Sequence, residues 1–440
     1  MSLQASSLCI ENTRAKALYA ARAVVPVRCT RGTLEALRSD LPYQNVAELL
    51  LSDPRKRALL RTLGTEETFV TGKGADLEVF RAFCKAMEAM PACAAKLQCH
   101  AVLQWLLDVD LTLCTAHADR IWQQSAERLL ARDLTPRSIL RECEVETLLV
   151  ALAPTDGLQG LSACGAQVLP LFCPDVLLDP RNPAFLSTVS ALSGEISTLQ
   201  ALQAALLAAL DRFCEMGCVS AVHTVLPRAF VRPDPYHAEQ ALLKCLRREP
   251  LTEGEADLLA AQMWRILGQA YAKRGMLLEL ATGGASAGAL PEYLRPAVLF
   301  TDYAALHALF DYLKECEALP HTVLYLSSAL EVREAVALGE MYPAIKEGEA
   351  QLSFGIVGGS AAEERALLLA LAGALPLGEI VGRFTDFRLP TSLFDGELFA
   401  RQLCTLLSDL EEKGMLQLTP EHAAALVRRL TGENLQKLLQ

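Results

Sequence analysis

No two of the fourteen cysteines in this 440-residue chain stand in a C-x-x-C pair. The closest are Cys214 and Cys218, and no histidine follows them at finger spacing. Zinc fingers and thioredoxin-type redox motifs are therefore excluded. No apolar run approaches the roughly 20 residues that a bilayer span requires. The longest, Ala366 to Gly378, has 13 residues and includes Pro376. Basic charge is also scarce. Lys and Arg number 41 against 52 Asp and Glu, a formal net charge of −11. The densest basic cluster is Arg55-Lys56-Arg57. A phosphate backbone needs a basic patch, so nucleic acid is not an expected partner, and neither is a membrane. Residues 1–20 carry Glu11, Arg14 and Lys16 and no apolar h-region. Export is therefore not expected, a cytoplasmic location is, and the thiols are expected to stay reduced as small hydrophobes. No Walker phosphate loop, glycine/serine linker, charge block or internal repeat is visible.

What remains is a globular chain. Hydrophobic residues make up 52% and charged residues 21%, too apolar for disorder. Most of it has helical periodicity. The stretch Thr252 to Arg274 opens with a Thr252-x-x-Glu255 capping box and stops at Gly275. Between the helices lie eight short apolar runs: Ala23–Cys29, Thr147–Ala153, Gln167–Phe172, Cys218–Val225, Met276–Thr282, Thr322–Ser327, Gln351–Val357 and Ile380–Asp386. Each is nearly continuous in apolar residues, as a strand covered on both faces must be, and each precedes a helical stretch. Eight such units predict an α/β fold, a (β/α)8 TIM-type barrel. The segment between the first two strands reads almost wholly as helix. The expected division is a barrel from residues 1–34 and 141–440 and a helical insertion from 35–140.

Barrels of this class place chemistry at the C-terminal ends of their strands. That nominates Arg28 to Thr33, Pro154 to Asp156, Cys173 to Asp175, His223, Ala281 to Gly284, Ser327 and Ser328, Gly358 to Ser360, and Asp386 with Arg388. Asp386 and Arg388, two apart, share one face if extended. They read either as a base or ligand beside a carboxylate-binding guanidinium, or as an ion pair closing the barrel top. His223 reads as a core histidine satisfied by backbone or as a site residue. Asp156 and Asp175 are a possible carboxylate pair. The glycine-rich loops Gly283–Gly288 and Gly355–Ser360 could bind phosphate near a helix N-terminus. Ser360 with Glu363 is equally a plain capping box.

In this register the chain resembles the uronate isomerases (glucuronate isomerases) of the amidohydrolase superfamily of metal-dependent barrels. The resemblance is carried by Thr71-Gly72, Cys173-Pro-Asp175, Gly217-Cys218, His223, Leu251-Thr-Glu253, Arg274-Gly275 and Phe384-Thr-Asp-Phe-Arg388. It covers nearly the whole chain. It implies a barrel with a helical insertion after strand one, and oligomeric assembly. The implied activity is conversion of an aldose uronate to a ketose uronate, D-glucuronate or D-galacturonate. A base moves a proton between neighbouring carbons through an enediol, while a divalent metal (zinc or manganese) and an arginine hold the oxygens and the carboxylate.

The positions that would serve this chemistry are mostly substituted. Where the family carries His-x-His after strand one, this chain has Arg31-Gly32-Thr33. Where a further histidine follows strand five, it has Ala281. The insertion tyrosine falls on Arg55, the strand-three arginine on Cys173, and the Asp preceding His223 on Val222. Asp386 and Arg388 match the last-strand Asp and Arg. The resemblance thus implies catalytic candidates Asp386, Arg388 and His223 and anion-binding candidates Arg31, Arg55 and Arg388. No metal or other cofactor is expected, because Arg31, Thr33 and Ala281 are not ligands. A buried Arg31 could stand in for the metal beside Asp386. It would stabilise charge but could not shuttle protons. The expectation is a degenerate uronate isomerase with weak or no turnover, or a non-catalytic barrel that binds a sugar acid or a partner protein.

Overall fold

The computed structural model describes residues 12–23, 27–52, 56–57, 59–71, 73–91, 93–160, 165–194, 196–283, 301–346, 349–384 and 390–440. Eight strands run parallel and neighbour one another in chain order: β1 Val27–Thr30, β2 Thr147–Leu152, β3 Gln167–Phe172, β4 Ser220–His223, β5 Leu277–Ala281, β6 Thr322–Leu326, β7 Leu352–Val357 and β8 Arg383–Phe384. Every one falls inside a run predicted from the sequence, and the fold is the (β/α)8 barrel. The last strand starts later than expected. Val381 already donates to the Phe354 carbonyl at 2.7 Å, but Gly382 has φ +100°, which delays regular pairing until Arg383.

Alternation along each strand sorts side chains between two cores. Leu149, Leu171, Val222, Leu277, Val323, Val381 and Phe384 point inward and pack together, with Leu435 of the helix Asn434–Leu438 joining them. Leu148, Phe172, Ala221, Leu278 and Leu324 point outward into a larger cluster shared with the surrounding helices. The helix Glu253–Lys273 shows why these sequences form that outer layer. Thr252 and Glu255 make the reciprocal capping box, and the helix buries Leu259, Met263, Trp264, Leu267 and Tyr271 against the sheet.

Between β1 and β2 the regular elements among the described residues are all helical. Asp76–Ala89, Ala94–Leu107 and Ala118–Arg132 build a separate apolar cluster around Phe80, Phe83, Leu103, Leu106 and Ile121. Phe394 and Leu398, from the helix Thr391–Glu412 that follows β8, complete it. The helix Arg31–Ser39 behaves differently: its Leu34 and Leu37 pack in the barrel's outer cluster. Among the described residues no helix is long and apolar enough to cross a membrane.

Candidate active site at the barrel mouth

Strand one ends at Thr30, and Arg31 opens a helix directly. Positions 31 and 33 therefore lie on the first turn of a helix, not on a strand. Residues two apart on a helix sit on opposite sides, whereas on a strand they share a face. Thr33 is buried. Ala281 ends β5, is buried, and faces the barrel interior. Arg55, Asp386 and Arg388 lie outside the described residues.

His223 ends β4 but points away from the barrel interior. Ala221, two residues earlier, packs in the outer cluster, and Val222 between them packs in the inner one. The imidazole is fully buried, 4.8 Å from the Trp264 ring. Its Nδ1 lies 2.9 Å from Asp175 Oδ1 and its Nε2 lies 3.2 Å from the Tyr271 hydroxyl. With Nδ1–H donating to the carboxylate, Nε2 accepts from Tyr271. Burial raises the Tyr271 phenol well above its ordinary value, so it keeps the proton it donates. The histidine is thus satisfied by side chains rather than by backbone, the partner expected of a core histidine.

Asp175 explains the Cys173-Pro-Asp175 motif. Its Oδ2 accepts from the Thr224 amide and hydroxyl, both at 2.8 Å, and from the Val225 amide at 3.3 Å. The motif clamps the loop after β3 onto the end of β4. Asp156 instead accepts from its own turn, at the Ala153 amide. The two aspartates serve separate local structures.

The loop after β7 resolves in favour of the cap. Ser360 and Glu363 form the capping box of the helix Ala361–Ala374. Glu363 accepts from the Ser360 amide at 2.8 Å, and Glu364 accepts from the Gly359 amide at 2.9 Å. Amides that would cradle a phosphate are already held by the helix's own carboxylates. Of the loop after β5, only Gly283 lies within the described residues.

The polar groups that fill the barrel were not on the list of expected site residues, apart from Arg28. Arg28 of β1 reaches across the interior to Glu279 of β5, Nη2 to Oε2 at 2.5 Å, and both are buried. The Tyr325 hydroxyl of β6 donates to Glu279 Oε2 at 2.8 Å, and Ser220 of β4 donates to Oε1. The guanidinium carbon lies 5.6 Å from the Tyr325 ring centroid and 5.4 Å from that of Phe384. Gly355 of β7 leaves room for Tyr325, whose ring would strike any Cβ there.

A second buried group sits at β8. Arg383 pairs with Glu364 at 2.6 Å and Asp395 at 3.1 Å, with 6% of its side chain exposed. Gln98, from the helix Ala94–Leu107, donates to Asp395 at 2.7 Å. Nearby, Lys56 is buried and donates to Thr391 Oγ1 at 2.7 Å. These bonds tie the helices after β1 to the β8 rim. One signal could have found both groups: Arg28, Glu279 and Arg383 are lone charges inside otherwise apolar strands, and such charges are almost never buried unless paired.

A recess of about 540 Å³ opens beside Ala281, lined by Thr224, Trp264, Arg181, Arg228, Asp257 and Glu334. Asp179 and Asp302 add to its walls, so carboxylates outnumber guanidiniums. Burial holds the Asp257 carboxyl above its ordinary value. Among the described residues, no three of His, Cys, Asp and Glu come together in a way that could hold a metal ion.

Comparison with known proteins decides the family. The model of the glucuronate isomerase family matches residues 1–439. The chain belongs to the glucuronate isomerase family. The uronate isomerase of Bacillus pumilus is 27% identical over 429 residues, covering 90% of this chain and 87% of its own. That of Clostridium perfringens is 25% identical and covers 97% of both. Among solved structures, the uronate isomerase of Thermotoga maritima superposes with a TM-score of 0.86 at 20% identity over all of both chains. The glucuronate isomerase of Caulobacter crescentus gives 0.83 at 17%, over 99% of this chain and 97% of its own. These two likenesses show the shared barrel. Within the glucuronate isomerase family, this member thus combines the family fold with Arg31, Thr33 and Ala281 at the positions matched to metal-binding histidines.

Proposed function

We propose that this chain is a degenerate uronate isomerase. It retains the barrel and the last-strand Asp386 and Arg388 but isomerises D-glucuronate and D-galacturonate weakly or not at all. One observation carries this reading: the positions where the family resemblance calls for metal-binding histidines hold Arg31, Thr33 and Ala281. None of these side chains offers the donor a divalent cation needs. The fit test therefore fails for zinc and manganese, and no step is routed through a metal. Loss of one preorganised electrostatic group costs about 10²–10³ in rate, and several are absent here. The outward orientation of His223, with both nitrogens occupied, supports the same reading by removing it from a rewired proton relay.

The alternative role is binding of a sugar acid through Arg31, Arg55 and Arg388. The recess beside Ala281 is acidic on balance, which favours placing a carboxylate on the opposite side of the mouth.

The deciding experiment is turnover of both uronates at high protein concentration, with zinc or manganese added. No detectable isomerisation is expected. Turnover abolished by Asp386→Ala would overturn the reading and establish a rewired isomerase.

A further inference from the structure

The barrel interior contains an arrangement that the substituted ligand positions do not by themselves imply. Arg28 reaches inward from β1, ion-pairs with Glu279 on β5 and lies over Phe384 on β8. These are the three strands at whose ends the resemblance places metal ligands. A guanidinium has only donors and no lone pair to offer a metal, and it is always protonated in proteins. Glu279 cannot substitute as a ligand, because both of its oxygens are engaged, Oε2 by Arg28 and Tyr325 and Oε1 by Ser220. The carboxylate has no exposed surface.

We infer that Arg28 is this barrel's resident cation: its guanidinium, paired with Glu279, takes the place of a divalent metal, and the folded protein carries and requires none in the barrel. The inference rests on the reading of a degenerate isomerase but reaches past it. It names the group that supplies fixed positive charge between strands one, five and eight, and it concerns folding rather than turnover. The two ideas fail separately. A protein that isomerised uronates without metal would overturn the first and leave this one standing.

The test uses the full-length protein. It is incubated with zinc chloride or manganese chloride, desalted, and its metal content measured by inductively coupled plasma mass spectrometry. Tm is recorded with each metal and with EDTA. The expected result is no stoichiometric manganese or zinc and a Tm that neither metal raises nor EDTA lowers. One equivalent of manganese per chain, or a Tm raised by either metal, would overturn the inference, because a ligand that binds only the native state must stabilise it.

The pair itself is tested by Arg28→Met, Glu279→Leu and the double variant. Each single change strands a buried charge, so a lowered Tm is expected, with most of the loss recovered in the double. Losses that simply add in the double variant would show that the two groups are not coupled and would refute the role of Arg28. Should a single variant fail to fold, the metal measurement on the unmutated protein still decides.

Discussion

Two arginines are buried on strands of this barrel, and they solve the problem of a buried charge differently. Arg28 meets one carboxylate, Glu279, within the barrel, and every partner that holds that carboxylate is itself a strand residue. Arg383 meets two, Glu364 and Asp395, which lie on the helices after β7 and β8, and Asp395 is also held by Gln98 of the helices after β1. The first group is balanced, one charge against one. The second carries one more negative charge than positive, in a place where Glu364 and Asp395 are both nearly inaccessible. Balance suits a group whose task is to fill and join the strands. The surplus carboxylate at the rim has to be compensated by hydrogen bonds, and those bonds reach elements that no strand pairing connects. A buried network of the second kind links separate parts of the fold, at the cost of sensitivity to loss of any member.

The comparison can be broken most directly at the rim. Arg383→Met would leave two buried carboxylates facing each other. A loss of about 3–5 kcal/mol is expected in urea denaturation. A loss below about 1 kcal/mol would mean that the carboxylates are satisfied without the arginine, and the contrast with Arg28 would disappear.

A smaller effect is expected from Gln98→Leu, which removes one hydrogen bond to a charged acceptor. About 1.5–3 kcal/mol should be lost. Amide exchange should quicken first in Ala94–Leu107 and its neighbours, leaving the strands protected. Uniform loss of protection would show that Asp395 does not couple the two parts specifically.

The smallest effect is a pH dependence. Burial raises the Glu364 carboxyl, against the lowering pull of Arg383. An acid whose value is higher folded than unfolded binds its proton more tightly when folded. Its contribution to stability is therefore greatest below the ordinary carboxylate value and falls as pH rises toward the raised one. Wild-type stability relative to Glu364→Gln should accordingly be higher at about pH 5 than at about pH 8. A flat difference between those two conditions would show that the surplus charge is carried by Asp395 instead.

Much of the fold was legible because strands buried on both faces must be apolar throughout, and eight such runs interleaved with helices admit few architectures. Local chemistry was legible where it is sequence-local. The capping boxes of Thr252 with Glu255 and Ser360 with Glu363 need only a three-residue spacing. His223 was harder. Whether a residue near a strand end faces in or out turns on a single-residue register, and that register puts Val222 inside and His223 outside. The strand-one motif failed for the same reason: β1 stops at Thr30, so Arg31 and Thr33 are helical.

By itself, the sequence determined the barrel, its family, and the absence of histidines where metal ligands would stand, since each of these follows from residue type and order along the chain. The partners of the buried charges were decided only by the tertiary structure. Arg28 and Glu279 lie 251 residues apart, and Gln98 and Asp395 lie 297 apart. No local pattern connects such pairs. They meet because closing the sheet brings β1 opposite β5, and because helices from before β2 pack on the helix that follows β8.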